Sequence, residues 1–135
     1  MPHLLIVDDD DAIRETLAEL GRDSGFSVAL AASVKDAFIQ LERQAPDLVL
    51  TDVRLPGGNG MDIFKNVAAA SAEVVVMTGH GTVDYAVQAL RLGATDFLVK
   101  PICMERLNAI LKRVVANAGG DLPGCLLYTS PSPRD

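Results

Sequence analysis

Asp47-Leu48-Val49-Leu50-Thr51-Asp52-Val53-Arg54-Leu55-Pro56-Gly57 decides how the rest of the chain is read. Leu48, Val49 and Leu50 form an apolar run with no polar alternation, the pattern of a strand buried on both faces. Pro56 and Gly57 stop it and start a loop. Asp52 therefore belongs at the carboxyl end of a buried strand, the place where open α/β sheets bind ligands.

Working outward, the same unit recurs. Leu4 to Val7 is a short apolar run, followed by four acids, Asp8 to Asp11. A helix comes next with Ile13, Leu17 and Leu20 on one face, Asp10 as a candidate N-cap, and Gly21 to Gly25 as its end. Phe26 to Ala31 reads as a weaker strand near a sheet edge. Ser33 then caps a helix with Val34, Ala37, Phe38 and Leu41 on its apolar side. Beyond the central strand come a short helix over 61–69, a strand from Glu73 to Met77 ending at Thr78-Gly79, and a helix over 83–92 stopped by Gly93. Thr95 to Val99 is the last strand, ending at Lys100-Pro101. A final helix over 104–117 turns Leu107, Ile110, Leu111, Val114 and Val115 inward.

Strands alternating with helices imply a parallel sheet. The fold class is α/β: a doubly wound five-stranded parallel sheet, flavodoxin-like (βα)5. Strands one, three and four are the most apolar, so they take the centre and the order is 2-1-3-4-5.

The 135 residues suit one domain, and an apolar share of 49% supplies a core without metal or disulfide staples. A net charge of −6 argues against direct nucleic-acid binding by this part of the chain. No apolar run approaches the ~20 residues of a membrane span, and Met1-Pro2-His3 lacks a basic signal-peptide start, so a cytoplasmic protein is expected. Cys103 and Cys125 have no metal-like spacing and read as reduced thiols, Cys103 as a structural one at the start of the last helix.

Parallel strands deliver their carboxyl ends to one edge. That edge should collect Asp8 and Asp9, Asp52, Thr78 and Lys100. Acids at strand ends commonly cap the next helix, as Asp10 or Asp11 can here, and a lone Thr or Lys there is commonly just solvated. Capping does not require three carboxylates in one crevice, where they repel. Such a cluster suits Mg2+, which takes hard oxygen ligands and keeps several waters. Asp52 can then be a nucleophile toward phosphorus, with Lys100 and Thr78 holding the remaining phosphoryl oxygens.

Four stretches together resemble the response-regulator receiver domain of bacterial two-component signalling: Leu5-Ile6-Val7-Asp8-Asp9-Asp10, the 47–56 stretch, Val75-Val76-Met77-Thr78-Gly79, and Asp96-Phe97-Leu98-Val99-Lys100-Pro101. The resemblance runs from His3 to about Asn117. It implies that Asp52 is the phosphoacceptor. Asp9 would bind Mg2+ directly and Asp8 directly or through water, with Asp52 and the backbone carbonyl of Arg54 completing the protein ligands. Lys100 would contact the phosphoryl group, followed by a cis Pro101. Thr78 would be the switch hydroxyl, and Phe97 the switch aromatic, a position often Tyr in the family. Gly60 would shape the loop before the third helix.

The same resemblance implies partners. A sensor histidine kinase or phosphotransfer protein would supply the phosphoryl group. The face formed by the fourth helix, fifth strand and fifth helix, carrying Val83, Tyr85, Gln88, Arg91 and Leu92, would pair with a second copy or with an output domain. The stretch Gly79 to Ala94 is similar to receivers of sigma-54-type enhancer-binding activators, which points to transcription as the output.

Other signals are weaker. Gly57-Gly58-Asn59-Gly60 lacks the Lys-Ser/Thr of a phosphate loop and reads as a turn. His80 reads as a solvated loop histidine. Residues 1–117 form the expected receiver and 118–124 the start of a linker. Residues 125–135, Cys125 to Asp135, resemble the translation of a transposase-type sequencing adapter, so an output domain beyond Gly124 is expected.

Three other readings are distinguishable. A phosphohydrolase with an aspartyl nucleophile would carry Asp-x-Asp, but Arg54 stands at the second position. A degenerate receiver, acting only as an interaction module, would have lost one of its acids or Lys100. A flavin-binding relative would want hydroxyls, not four acids, after the first strand.

Overall fold

A five-stranded sheet carries the structure, a computed structural model that describes residues 2–55, 58–59, 72–79, 87–88, 90–91 and 93–119. Its strands are β1 (His3–Val7), β2 (Ser27–Ala31), β3 (Leu48–Asp52), β4 (Glu73–Thr78) and β5 (Asp96–Val99). All neighbours pair in parallel, in the order β2-β1-β3-β4-β5 expected from the apolar ranking of the strands. The register sets Val7 opposite Thr51, Asp52 opposite Met77, and Thr78 opposite Val99.

Alternate residues of each strand feed two separate cores, because side chains alternate across a sheet. On one face Leu4, Ile6, Leu48, Leu50, Val75, Met77 and Leu98 pack with Leu17 and Ala18 of helix α1 (Asp11–Asp23). Leu107, Ile110, Leu111 and Val114 of the C-terminal helix (Met104–Gly119) close that core. On the other face Leu5, Val7, Val49, Val74 and Val76 pack with Val34 and Ala37 of helix α2 (Val34–Arg43). Burying each such side chain contributes roughly 1.5–3 kcal/mol, which holds the strand ends in fixed relative positions.

The helix caps agree with the sequence. Asp10 accepts from the backbone N–H groups of Ala12 and Ile13, and Ser33 accepts from that of Asp36. α1 ends inside the expected Gly21–Gly25 stretch, though not at Gly21 itself. The helix continues to Asp23, and Gly25, at φ 104°, makes the turn. Gly21 is instead a point of close approach, since a Cβ there would stand 2.6 Å from Leu4 Cδ2. The C-terminal helix runs to Gly119, two residues past the expected boundary. Cys103 is exposed, so it is not a core residue.

A two-residue antiparallel ladder, Arg54–Leu55 with Gly58–Asn59, comes after β3, where the sequence suggested only a loop. The expected helix over 61–69, most of that over 83–92, Gly60, His80, Cys125 and the segment after Gly119 lie outside the described residues. Val87, Gln88, Leu90 and Arg91 are helical and exposed.

Candidate functional site

The site is built at the carboxyl edge of the three central strands and β5. Asp8 directly follows β1, and its N–H continues the pairing with β2 by donating to the Ala31 carbonyl at 3.1 Å. The Asp8 side chain is fully buried. A buried carboxylate needs partners. Oδ1 accepts from the Asp10 N–H at 2.9 Å, and Oδ2 accepts from Lys100 Nζ at 3.0 Å. Asp9, the next residue, is exposed.

The four acids after β1 thus divide by role. Asp10 caps α1, Asp11 pairs with Arg14, and Asp8 and Asp9 face the strand ends. The end of β3 contributes Asp52, 14% exposed, which accepts from Lys100 Nζ at 3.0 Å. Beneath it Thr51 is buried and donates its hydroxyl to the Asp52 carbonyl at 3.0 Å. One carboxylate oxygen each from Asp8, Asp9 and Asp52 lies within 4.8 Å of the others. Three hard oxygen donors at that spacing fit a divalent cation such as Mg2+.

Lys100 reaches the acids from β5. Its N–H donates to the Thr78 carbonyl at 2.8 Å, extending the β4–β5 ladder by one step, and the peptide to Pro101 is cis. The Lys100 side chain is half-buried. Burial pulls its pKa down, but hydrogen bonds and charge from Asp52 and Asp8 outweigh that pull and leave it raised. It is therefore a firm cation between two carboxylates.

Thr78 is the last residue of β4 and is buried at 2% exposure. It stands one step beyond Met77, the register partner of Asp52. Phe97, in β5 opposite Val76, is half-buried against the core on the α2 face. Arg54 lies two residues after Asp52 and enters the short ladder, so its backbone leaves the same edge.

The structure thus brings Asp8, Asp9, Asp52 and Lys100 into one contact group, with Thr78 at the adjoining strand end. The sequence pattern did not single out Arg14. Its guanidinium donates to the backbone carbonyl of Asp8 at 2.8 Å. The available signal was a cation in the first turn of a helix, where the helix dipole disfavours it.

A doubly wound sheet with an acidic crevice and a lysine at its switch point defines a class, and comparison with known proteins agrees. Residues 4–112 match the family model described as the response regulator receiver domain. The chain belongs to that family. It is 48% identical over 101 residues to the transcriptional regulatory protein FixJ of Azorhizobium caulinodans, covering 71% of this chain and 46% of FixJ. It is 42% identical over 107 residues to the alginate biosynthesis transcriptional regulatory protein AlgB of Pseudomonas aeruginosa, covering 78% of this chain and 24% of AlgB. Among solved structures, the beryllofluoride-activated NtrC4 receiver domain dimer superposes with a TM-score of 0.77 at 30% identity, over 87% of this chain and 98% of that one. The chain spans less than half the length of these two regulators. Among the described residues, no helix is long and apolar enough to cross a membrane.

Proposed function

We propose that this receiver domain takes a phosphoryl group onto Asp52 and uses it to control an attached output domain. The observation that carries the proposal is the three-carboxylate cluster with Lys100 bridging Asp8 and Asp52. Asp8, Asp9, Asp52 and the Arg54 carbonyl would hold Mg2+. When bound, the ion supplies positive charge that offsets the negative charge of the incoming phosphoryl group.

Asp52 acts as nucleophile. One carboxylate oxygen attacks phosphorus, the P–O bond to Asp52 forms, and the bond to the donor nitrogen breaks, leaving its electron pair on the donor histidine. Lys100 exchanges part of its contact with Asp8 for a phosphoryl oxygen. The Thr78 hydroxyl donates to another, and Phe97 repacks toward the space Thr78 leaves.

The donor would be a sensor histidine kinase or a phosphotransfer protein. An apolar cleft of about 310 Å³ beside Lys100, lined by Ile13, Leu17, Pro101, Ile102 and Met104, supports docking of a protein donor at the site's rim. The exposed Val87, Leu90 and Val99 support a responsive face for a second copy or an output domain. NtrC4's receiver is a dimer in its beryllofluoride-activated form. FixJ and AlgB are transcriptional regulators, which supports transcription as the output and a cytoplasmic setting. Residues 1–117 would be the receiver and 118–124 the start of the linker.

Incubation with Mg2+ and acetyl phosphate, or with beryllofluoride, tests the proposal. The expected product is one base-labile, acid-stable adduct that Asp52→Asn abolishes. A label that survives Asp52→Asn sinks the assignment. Steady phosphate release at enzyme-like rates would favour a phosphohydrolase, and no Mg2+-dependent change would favour a pure interaction module.

A further inference from the structure

Arg14 stands in the first turn of α1, where a cation is opposed by the helix dipole. Its side chain is nonetheless only 16% exposed and folds back over the β1–α1 connection. One guanidinium nitrogen, Nη1, donates to the Asp8 carbonyl at 2.8 Å, and the other, Nη2, pairs with the Asp11 carboxylate. Asp11 is 87% exposed, so that pair alone contributes little. The bond to the carbonyl is the informative one.

The peptide between Asp8 and Asp9 is planar, so holding the Asp8 carbonyl also sets the direction in which Asp9 leaves the backbone. The other handles on Asp8 are its N–H, which donates to Ala31, and its carboxylate, held by Asp10 and Lys100. Those bonds fix Asp8 itself. Arg14 fixes the peptide on its carboxyl side, which leads into Asp9, an exposed acid whose oxygen must stay within the three-carboxylate cluster. We propose that Arg14 is a positioning residue for the metal-binding acids, acting through the Asp8–Asp9 peptide. This rests on the reading that Asp8, Asp9 and Asp52 hold Mg2+.

The two roles open to Arg14 predict opposite signs. As a mere neighbouring charge, the guanidinium repels a cation, so Arg14→Ala would tighten Mg2+ binding. As a positioning residue, its loss frees Asp9 and weakens binding about tenfold, the low end of what removing an outer-shell partner costs. Amide chemical-shift titration of the full chain with Mg2+ alone reads both the affinity and the integrity of the fold. The expected result is weaker binding in Arg14→Ala with the shifts of the sheet residues unchanged. Unchanged or tighter binding overturns the proposal. Should Arg14→Ala fail to fold, Arg14→Met, which keeps an unbranched apolar stem but no N–H donor, is read by the same two outcomes. Asp9→Asn keeps the two readings apart. If it leaves Mg2+ affinity unchanged, the metal-site reading fails and takes this one with it. If it weakens binding while Arg14→Ala does not, only the role of Arg14 falls.

Discussion

Lys100 Nζ lies 3.0 Å from Oδ2 of Asp8, across 92 residues of sequence and between strands that are not neighbours in the sheet. The same nitrogen lies 3.0 Å from Asp52, so one ammonium neutralises two carboxylates of a crowded acidic cluster. Removing it leaves a fully buried Asp8 without its cation.

Lys100→Met should therefore destabilise the Mg2+-free protein by on the order of 2 kcal/mol, below the 3–5 of a fully buried pair because Lys100 is 22% exposed. Added Mg2+ should restore part of the loss. Urea denaturation with and without Mg2+ measures both, and equal stability of variant and wild type without metal would contradict the prediction. The Lys100 pKa is raised, so its contribution is full below the ordinary value of 10.5 and is lost as pH rises through the folded value. The alkaline limb of the stability profile should be steeper in wild type than in Lys100→Met.

His3 makes a second pH-dependent contribution, with the opposite sign. It is buried at 6% exposure in β1, with Nδ1 2.8 Å from Ser27 Oγ. Burial lowers its pKa, against the opposing pull of Ser27 and of the Asp47 charge. The neutral ring is thus favoured in the folded state. Its contribution is present above the ordinary value of 6.5 and is lost as pH falls through the folded value. The fall in melting temperature between pH 7 and pH 5 should be smaller in His3→Asn than in wild type.

Gly21→Ala should destabilise the domain. In an open helix the change would gain about 1 kcal/mol of propensity. Here the new Cβ would meet Leu4 Cδ2 at 2.6 Å and Val28 Cγ2 at 3.2 Å, and Leu4 is fully buried in the core. Overpacking costs roughly 1–3 kcal/mol, so the net loss should be about 1 kcal/mol. A higher melting temperature in the variant would mean that α1 can shift away from β1 without cost.

Asp52→Asn should abolish phosphoryl transfer while leaving the fold intact. The amide keeps the size of the side chain and can still accept from Lys100, but it is not a nucleophile. Mass spectrometry after treatment with acetyl phosphate should show a gain of one phosphoryl group in wild type and none in the variant.

Much of this was legible in the linear chain for a physical reason. Leu48 to Leu50 and Val74 to Val76 are apolar without alternation, which only a strand covered on both faces tolerates. Asp10 and Ser33 were readable as caps because their short oxygen-bearing side chains precede apolar-periodic runs. The Gly21–Gly25 stretch marked the end of α1 but not that Gly21 itself stays inside the helix, because a glycine's local preference is the same whether it ends a helix or lets a helix approach a sheet. The neighbour that decides between these, Leu4, is 17 positions away.

The site divides in the same way. Alternation of strands and helices alone dictated that Asp8, Asp9, Asp52, Thr78 and Lys100 gather at one edge, since parallel strands share a direction. Chain direction does not specify distance, burial or pairing. That Asp8 is fully buried while Asp9 is exposed, that one lysine serves both Asp8 and Asp52, and that Arg14 grips the carbonyl between the acids depend on how α1 and β5 pack against the sheet. The sequence determined which groups meet, because strand polarity is written locally. Tertiary structure decided which groups touch, because hydrogen bonds are set within tenths of an ångström by packing from both faces.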